Sequence, residues 1–170
     1  MRAAAPVTYQ ATAEDAPRAG RAGRVAFPAA ESPMPHVTVT RRLRFNAAHR
    51  VHNPELSDEE NRRLFGKCNN PNWHGHNYVL EVSVAGEVDA RTGYVMDLGR
   101  LRDVVEREVI EEVDHRNMNI DVEFMRGVIP TAENIVVQCW RAIEAHVAPA
   151  RLTRLRLWET ENNYVEYEGR

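Results

Sequence analysis

The stretch His74-Gly-His-Asn-Tyr-Val-Leu-Glu-Val-Ser-Val84 decides the fold, because apolar side chains recur at every second position after its paired histidines. Alternation with a period of two is typical of a β-strand with one buried face. That face carries Tyr78, Leu80, Val82 and Val84. His74 and His76 share its parity, so their imidazoles should lie on one side of the strand, close together.

An earlier stretch, residues 36–49, shows the same alternation. Its inward-facing positions are predicted to be Val37, Val39, Leu43, Phe45, Ala47 and His49. Zinc favours neutral imidazole, and a catalytic zinc usually has three protein ligands and one open position. The pattern therefore predicts a zinc site formed by His49, His74 and His76. His52 competes for the third position, but it lies in a predicted loop and should face solvent.

Cys68 lies six residues before the first paired histidine, among polar loop-forming residues. We expect it to be partly exposed beside the metal, where zinc and the adjacent Lys67 would favour the thiolate. The alternative is a small buried hydrophobic residue, the usual environment of a free cysteine, and we expect that for Cys139. Lys67 is the only lysine in an arginine-rich chain. Either its amine is required at this position or it occurs there by chance, and the sequence alone leaves both readings open.

Helices are predicted before and after the second strand. Ser57 and Glu60 form a capping-box pattern, and Gly66 should end that short helix. Asp97 and Thr131 are predicted to cap two longer helices. Their apolar sides are Leu98, Leu101, Val105, Val109 and Val113 in one, and Ile135, Val136, Cys139, Ile143 and Val147 in the other.

Two strands follow the helices, one with Leu155, Leu157 and Glu159 on a single parity and one over residues 164–167. The order strand, strand, helix, helix, strand, strand predicts an α+β fold. We expect a four-stranded antiparallel sheet with the helices on one face.

Composition limits the protein class. A chain of 170 residues with 43% hydrophobic content and a net charge of −3 favours one folded domain, with no nucleic-acid partner and no anionic membrane partner. No apolar run approaches the ~18 residues that span a bilayer. Residues 1–35, rich in Ala, Pro, Gly and Arg, are predicted to be a disordered tail, and residues 36–170 the domain. Two distant cysteines favour a reducing compartment, so a cytoplasmic location is expected.

Two further acidic positions are candidates for chemistry. Asp114 could orient His115 for proton transfer, or His115 could simply complement the end of a helix, and spacing leaves both open. Glu159 shares the parity of buried leucines, so its carboxylate needs polar partners such as a ligand with amine and ring N–H groups. The alternative is that the strand reaches the sheet edge there and Glu159 meets water.

Residues from about 38 to the end resemble the 6-pyruvoyl-tetrahydropterin synthase family. The matching motifs are Phe45-Asn-Ala-Ala-His49, Leu64-Phe-Gly-Lys-Cys-Asn-Asn-Pro-Asn72, His74-Gly-His-Asn-Tyr78, Val113-Asp-His115, Pro130-Thr-Ala-Glu-Asn134 and Glu159-Thr-Glu-Asn-Asn163. The resemblance implies the tunnelling fold, in which the sheets of three subunits form a barrel. Two such trimers stack as a homohexamer with active sites between subunits.

The resemblance also implies a role for each candidate residue. Zinc falls on His49, His74 and His76, and proton abstraction on Cys68. The Asp114–His115 pair would reach the site from the adjacent subunit. The pterin ring would be held by Glu159, with Thr131 and Glu133 close by. Trp73 departs from the family pattern, which has glycine there, so a bulky indole would border the first paired ligand.

The implied reaction converts 7,8-dihydroneopterin triphosphate to 6-pyruvoyl-tetrahydropterin with loss of triphosphate. A related alternative is 6-carboxytetrahydropterin synthase of queuosine biosynthesis, in which the cysteine lies closer to the paired histidines. The intervening loop 69–73 favours the pyruvoyl enzyme. A third hypothesis is a non-catalytic, zinc-stabilised pterin-binding module, which would close its metal site with four protein ligands.

Overall fold

The computed structural model describes residues 33–170 of the chain. The predicted tail, residues 1–35, lies outside the described residues except for its last three positions. The strands are β1 (His36–His49), β2 (His74–Glu87), β3 (Arg116–Asn117), β4 (Arg151–Trp158) and β5 (Tyr164–Tyr167). The helices are α1 (Asp58–Phe65), α2 (Leu98–Val105), α3 (Glu111–Val113) and α4 (Ala132–Ile143), with a π-helical segment, Glu106–Ile110, joining α2 to α3.

One sheet with the strand order β3-β1-β2-β4-β5 organises these elements. β1 and β2 pair antiparallel along their whole length, from His36 opposite Glu87 to His49 opposite His74. The side chains facing the helices alternate as predicted, since Phe45, Leu80 and Leu157 are almost fully buried. Because the register is continuous to the last pair, the histidines at the end of β1 and the start of β2 are brought to the same place.

The prediction of a four-stranded antiparallel sheet is wrong in one respect. The four long strands are antiparallel, but β3 adds a fifth strand that pairs parallel to β1 through Ala47 and Ala48. This strand is two residues long, so it carries no alternation that a sequence pattern could reveal. It matters for the site because it fixes the chain after Asp114 and His115 against the end of β1.

The helices begin where their capping residues predict, and α1 ends before Gly66 as predicted. The helix predicted to run through Val113 is instead interrupted by the π-helical segment, and α4 ends at Ile143, before the predicted Val147. Ser57 and Glu60 form the reciprocal hydrogen bonds of a capping box at the start of α1. Asp97 accepts from the amides of Gly99 and Arg100 to cap α2, and Thr131 accepts from the Asn134 amide to cap α4. Two predicted core residues are misplaced: Leu98 and Val37 are each 40% exposed, because each lies at the outer end of its element.

The core lies between the sheet and the helical layer formed by α2, α3 and α4. Its largest fully buried side chains include Phe45, Tyr78, Leu101, Ile135 and Leu155. Cys139 of α4 is fully buried, as predicted, and burial raises the pKa of its thiol to about 12. Within residues 33–170, every helix is too short or too polar to cross a bilayer.

Candidate metal centre and active site

Three histidines converge where β1 ends and β2 begins. The ring centroids of His49 and His74 are 4.4 Å apart, and that of His76 lies 5.2 Å from His49 and 5.1 Å from His74. One nitrogen of each ring lies within 4.8 Å of the other two. Gly75 allows this close packing, because a Cβ at that position would lie 2.8 Å from the Ala47 carbonyl oxygen. The grouping predicted from strand parity is therefore confirmed as geometry.

His49 is the most enclosed of the three, with 1% of its surface exposed. Its Nδ1 lies 2.8 Å from the Pro130 carbonyl oxygen. A carbonyl only accepts, so Nδ1 donates and Nε2 keeps a free lone pair. Burial lowers the pKa of His49 from 6.5 to about 4, and the neighbouring imidazoles add to that effect. His49 is thus a neutral ligand whose ring orientation is fixed from behind.

His74 supplies a specific observation that tests whether a metal ion fits here. Both of its ring nitrogens are buried, and neither has a hydrogen-bond partner within residues 33–170. Burial lowers its pKa, and the adjacent His76 does so as well, so the neutral ring is favoured. A buried nitrogen lone pair without a partner is costly, and a bound cation would satisfy it. Three imidazole ligands suit zinc and leave one coordination position open.

Cys68 lies in the short 3₁₀ segment Gly66–Asn69 and its side chain is exposed, as predicted. A hydrogen bond from the Val51 amide to the Cys68 carbonyl, 2.9 Å long, joins this segment to the chain that leaves β1. The buried Asn69 strengthens the connection, since its amide donates to the Val51 carbonyl and its oxygens accept from Arg50. Backbone hydrogen bonds and the side chain of Asn69 therefore hold the Cys68 segment against the chain that leaves β1. The sequence pattern did not indicate this role of Asn69.

Glu159, one residue beyond β4, turns its carboxylate toward the metal centre. Its Oε1 lies 3.7 Å from Nε2 of His49 and 3.8 Å from Nε2 of His76. The side chain is 26% exposed, so it faces neither a closed apolar layer nor open water. A ligand bound by this carboxylate would lie against the histidines.

A cavity of about 480 Å³ is lined by both Cys68 and Glu159, and we call it the acidic cavity. Its walls include Cys68, Thr131, Glu133, Glu159, Leu64 and Phe65. Thr131 and Glu133, predicted to lie near the pterin, are thus brought together with Cys68 and Glu159 at the start of α4. Apolar walls with a few converging polar groups are typical of a small-molecule site.

Tyr78 is a site residue that sequence reasoning placed only in the core. Its hydroxyl lies 3.4 Å from Nε2 of His49, and its ring stacks on Phe45 with a centroid distance of 4.9 Å. Burial raises the pKa of Tyr78 well above its ordinary value, with Glu159 and Cys68 adding to the shift. The neutral phenol therefore lines the inner side of the histidine cluster. Its parity with His76 was the available signal.

Asp114 and His115 form the predicted pair at a different place. Nδ1 of His115 lies 2.9 Å from Oδ2 of Asp114, while Oδ1 accepts from the Asn46 amide at 2.7 Å. The hydrogen bond from the Asn46 amide lowers the pKa of Asp114, and hydrogen bonding and electrostatic interaction with His115 lower it further. The His115 side chain is 78% exposed. Within the described chain, neither residue lines a cavity that contains Cys68.

Trp73 directly precedes the first paired histidine and has a φ of 66°. This left-handed conformation favours glycine and is strained for a bulky residue. Trp73, which replaces the glycine of the family pattern, therefore also has an unusual backbone conformation.

The described residues define an α+β protein with a partly buried three-histidine cluster, an exposed thiol and a carboxylate that faces the cluster. The 6-pyruvoyl tetrahydropterin synthase family model matches residues 38–170, and the chain belongs to this family.

Comparisons with individual proteins agree with the family assignment. The 6-pyruvoyl tetrahydrobiopterin synthase of Homo sapiens is 44% identical over 131 residues, covering 77% of this chain and 90% of the human one. The solved Caenorhabditis elegans 6-pyruvoyl tetrahydropterin synthase superposes with a TM-score of 0.78 at 42% identity, covering 82% of this chain and 99% of that one. A 6-carboxy-5,6,7,8-tetrahydropterin synthase of Rickettsia conorii is 29% identical, covering 76% of this chain and 99% of its own.

Proposed function

We propose that this protein is a zinc-dependent 6-pyruvoyl-tetrahydropterin synthase. Its substrate would be 7,8-dihydroneopterin triphosphate, and its products 6-pyruvoyl-tetrahydropterin and inorganic triphosphate. The observation that carries the proposal is one cavity wall: Cys68 and Glu159 line the acidic cavity, and Glu159 also contacts two of the three clustered histidines. A pterin held by the carboxylate would therefore place its side chain between thiol and metal.

The three imidazoles of His49, His74 and His76 would hold the zinc. When bound, zinc would act as a Lewis acid that polarises the side-chain hydroxyls of the substrate and makes the adjacent C–H bonds more acidic. Cys68 would act as the base and take a proton from such a carbon. Its segment is attached to the end of β1 through Val51 and Asn69, so the thiol keeps its place relative to His49.

Substrate orientation would be the task of the acidic cavity. The carboxylate of Glu159 can accept hydrogen bonds from the amine and ring N–H groups of a pterin. Thr131 and Glu133 line the same wall, and Leu64 and Phe65 offer apolar surface for the flat ring. Fixing the ring in this way lowers the entropic barrier of the reaction without forming or breaking a bond.

His115, oriented by Asp114, would return protons to the substrate. Because its imidazole is 78% exposed, it would serve an active site completed by another subunit. We therefore include in the proposal a homohexamer with sites at subunit interfaces. The exposed free thiol of Cys68 suits a reducing compartment such as the cytoplasm.

The product distinguishes the proposed enzyme from its rival. Purified zinc-loaded protein would be incubated with 7,8-dihydroneopterin triphosphate, and the products identified by mass. We expect 6-pyruvoyl-tetrahydropterin and inorganic triphosphate. Formation of 6-carboxytetrahydropterin and acetaldehyde would instead establish the 6-carboxytetrahydropterin synthase activity.

The same assay addresses the non-catalytic hypothesis. A pterin-binding module would bind zinc and a pterin but release no triphosphate from the substrate. Cys68→Ala is the matched variant in this assay, because product formation by this variant at the wild-type rate would show that Cys68 is not the base.

A further inference from the structure

A second cavity shares Cys68 with the acidic cavity, and we call it the basic groove. It has a volume of about 620 Å³, and its walls include Arg62, Lys67, Cys68, Asn70, His74 and His76. The acidic cavity, by contrast, carries the carboxylates of Glu133 and Glu159. Cys68 therefore lines both a cavity with negatively charged side chains and a cavity with positively charged ones.

The two cations of the basic groove are free to bind an anion. Arg62 belongs to the last turn of α1, and Lys67 follows the turn at Gly66, whose amide donates to the Arg62 carbonyl. Both side chains are exposed at the groove. Among residues 33–170, neither forms an ion pair with a carboxylate, whereas Arg156 pairs with both Glu81 and Glu166.

A simpler explanation for the charge on α1 is that cations stabilise the carboxyl end of a helix. Arg62 and Arg63 would do this equally well, since both lie in the last turn. Only Arg62 lines the groove, together with Lys67, which lies beyond the helix. The helix dipole therefore does not explain why Arg62, and not Arg63, lines the groove beside Lys67.

We propose that Arg62 and Lys67 form the subsite for the polyphosphate of the substrate. The inference rests on the proposed function for the identity of the substrate. A pterin triphosphate has a ring with N–H donors at one end and several negative charges at the other. Glu159 suits the first end, and a guanidinium and an ammonium suit the second. Lying across Cys68, the molecule would present its connecting carbons to the thiol and to His74 and His76.

Binding of inorganic triphosphate to the zinc-loaded protein, measured by calorimetry, tests the subsite without requiring turnover. We expect the Kd to rise about tenfold in Arg62→Ala and in Lys67→Ala, as for loss of one charge-assisted hydrogen bond. Lys67→Arg should bind about as well as the wild type. Arg63→Ala is the matched control, because it removes the same charge one residue away and should leave the Kd nearly unchanged.

Kinetics with 7,8-dihydroneopterin triphosphate separate this proposal from the proposed function. We expect KM to rise about tenfold in Arg62→Ala and Lys67→Ala, while inhibition by a pterin without phosphates stays at the wild-type level. Turnover in which both variants behave like Arg63→Ala would overturn the subsite alone. Triphosphate binding that depends on Arg62 and Lys67, in a protein that forms no product, would support the subsite and overturn the synthase.

Discussion

The histidine cluster and the Asp114–His115 pair differ in how much of their surroundings a single chain supplies. His49 is 1% exposed and its Nδ1 is fixed by the Pro130 carbonyl, while His74 and His76 are half-buried, so the chain itself covers most of the cluster. His115 is fixed by Asp114 just as closely, yet its side chain is 78% exposed. Hydrogen bonds orient the imidazoles of both His49 and His115, but only that of His49 is also buried by its own chain.

This difference assigns the two regions different requirements. A metal centre needs neutral ligands that are held rigidly, and burial between strand, helix and loop provides this within one chain. A proton-transfer residue must contact its substrate, and within residues 33–170 His115 lines neither of the two cavities that contain Cys68. We therefore expect the histidine cluster to bind its metal within one chain, and His115 to require an assembled oligomer for its role.

Loss of the thiol should have the largest effect. In Cys68→Ala, we expect kcat to fall by about 10²–10⁴-fold, because a proton-abstracting group is removed. Zinc content and the circular dichroism spectrum should match the wild type, since Cys68 lies outside the three-histidine cluster. Cys139→Ala, which removes the buried thiol of α4, should keep its turnover. Wild-type kcat in Cys68→Ala would end the proposed role of this residue.

A mixing experiment tests whether the pair acts across subunits. His115→Ala alone should lower kcat by about 10²-fold and retain zinc. Co-expression of Cys68→Ala chains with His115→Ala chains should restore part of the activity, because some sites would combine an intact thiol with an intact imidazole. Mixed assemblies no more active than the two variants alone would place both groups of each site in one chain.

Burial of His49 should make the stability of the zinc-free protein depend on pH. In the unfolded chain His49 takes up a proton below its ordinary pKa of 6.5, whereas the folded chain resists protonation down to about 4. The free energy of unfolding should therefore fall by about 3 kcal/mol as the pH drops through this range. Denaturant titrations from pH 7 to pH 4, after chelation of the metal, would measure the slope.

His49→Gln provides the comparison for that titration. A glutamine side chain does not titrate in this range, so this variant should show a smaller slope than the wild type. Equal slopes in the two proteins would show that burial of His49 does not control the pH dependence.

Backbone strain gives the smallest expected effect and occurs once in each region. Trp73 and His115 are the two non-glycine residues with positive φ among residues 33–170, at 66° and 59°. Trp73→Gly should raise the free energy of unfolding by about 0.5–1 kcal/mol, because glycine adopts this conformation without strain. Asn72→Gly, next to it, should be neutral or destabilising. A loss of stability in Trp73→Gly would show that contacts of the indole outweigh the strain.

Much of the enclosed region could be predicted from the sequence, because it follows from strand parity. Phe45 and His49 lie on one parity of β1, and Tyr78 extends the face of the paired histidines on β2. Features that depend on single long-range contacts could not be predicted. The Pro130 carbonyl behind His49 and the two-residue strand β3 leave no periodic signal.

For the Asp114–His115 pair, the sequence motif indicates which residues form the pair but not what surrounds them. The motif singled out Asp114 and His115, yet neither spacing nor charge indicates that the Asn46 amide fixes the carboxylate. Asn69 was missed for the same reason: its role arises from hydrogen bonds to Arg50 and Val51, which are distant in sequence.

X-ray absorption at the zinc edge of the zinc-loaded protein directly tests whether three histidines coordinate the metal and Cys68 does not. We expect one zinc per chain with three imidazole nitrogens at about 2.0–2.1 Å, one further oxygen ligand and an unchanged spectrum in Cys68→Ala. A sulfur at about 2.3 Å that disappears in Cys68→Ala would contradict it, since the thiol would then be a ligand and not the base.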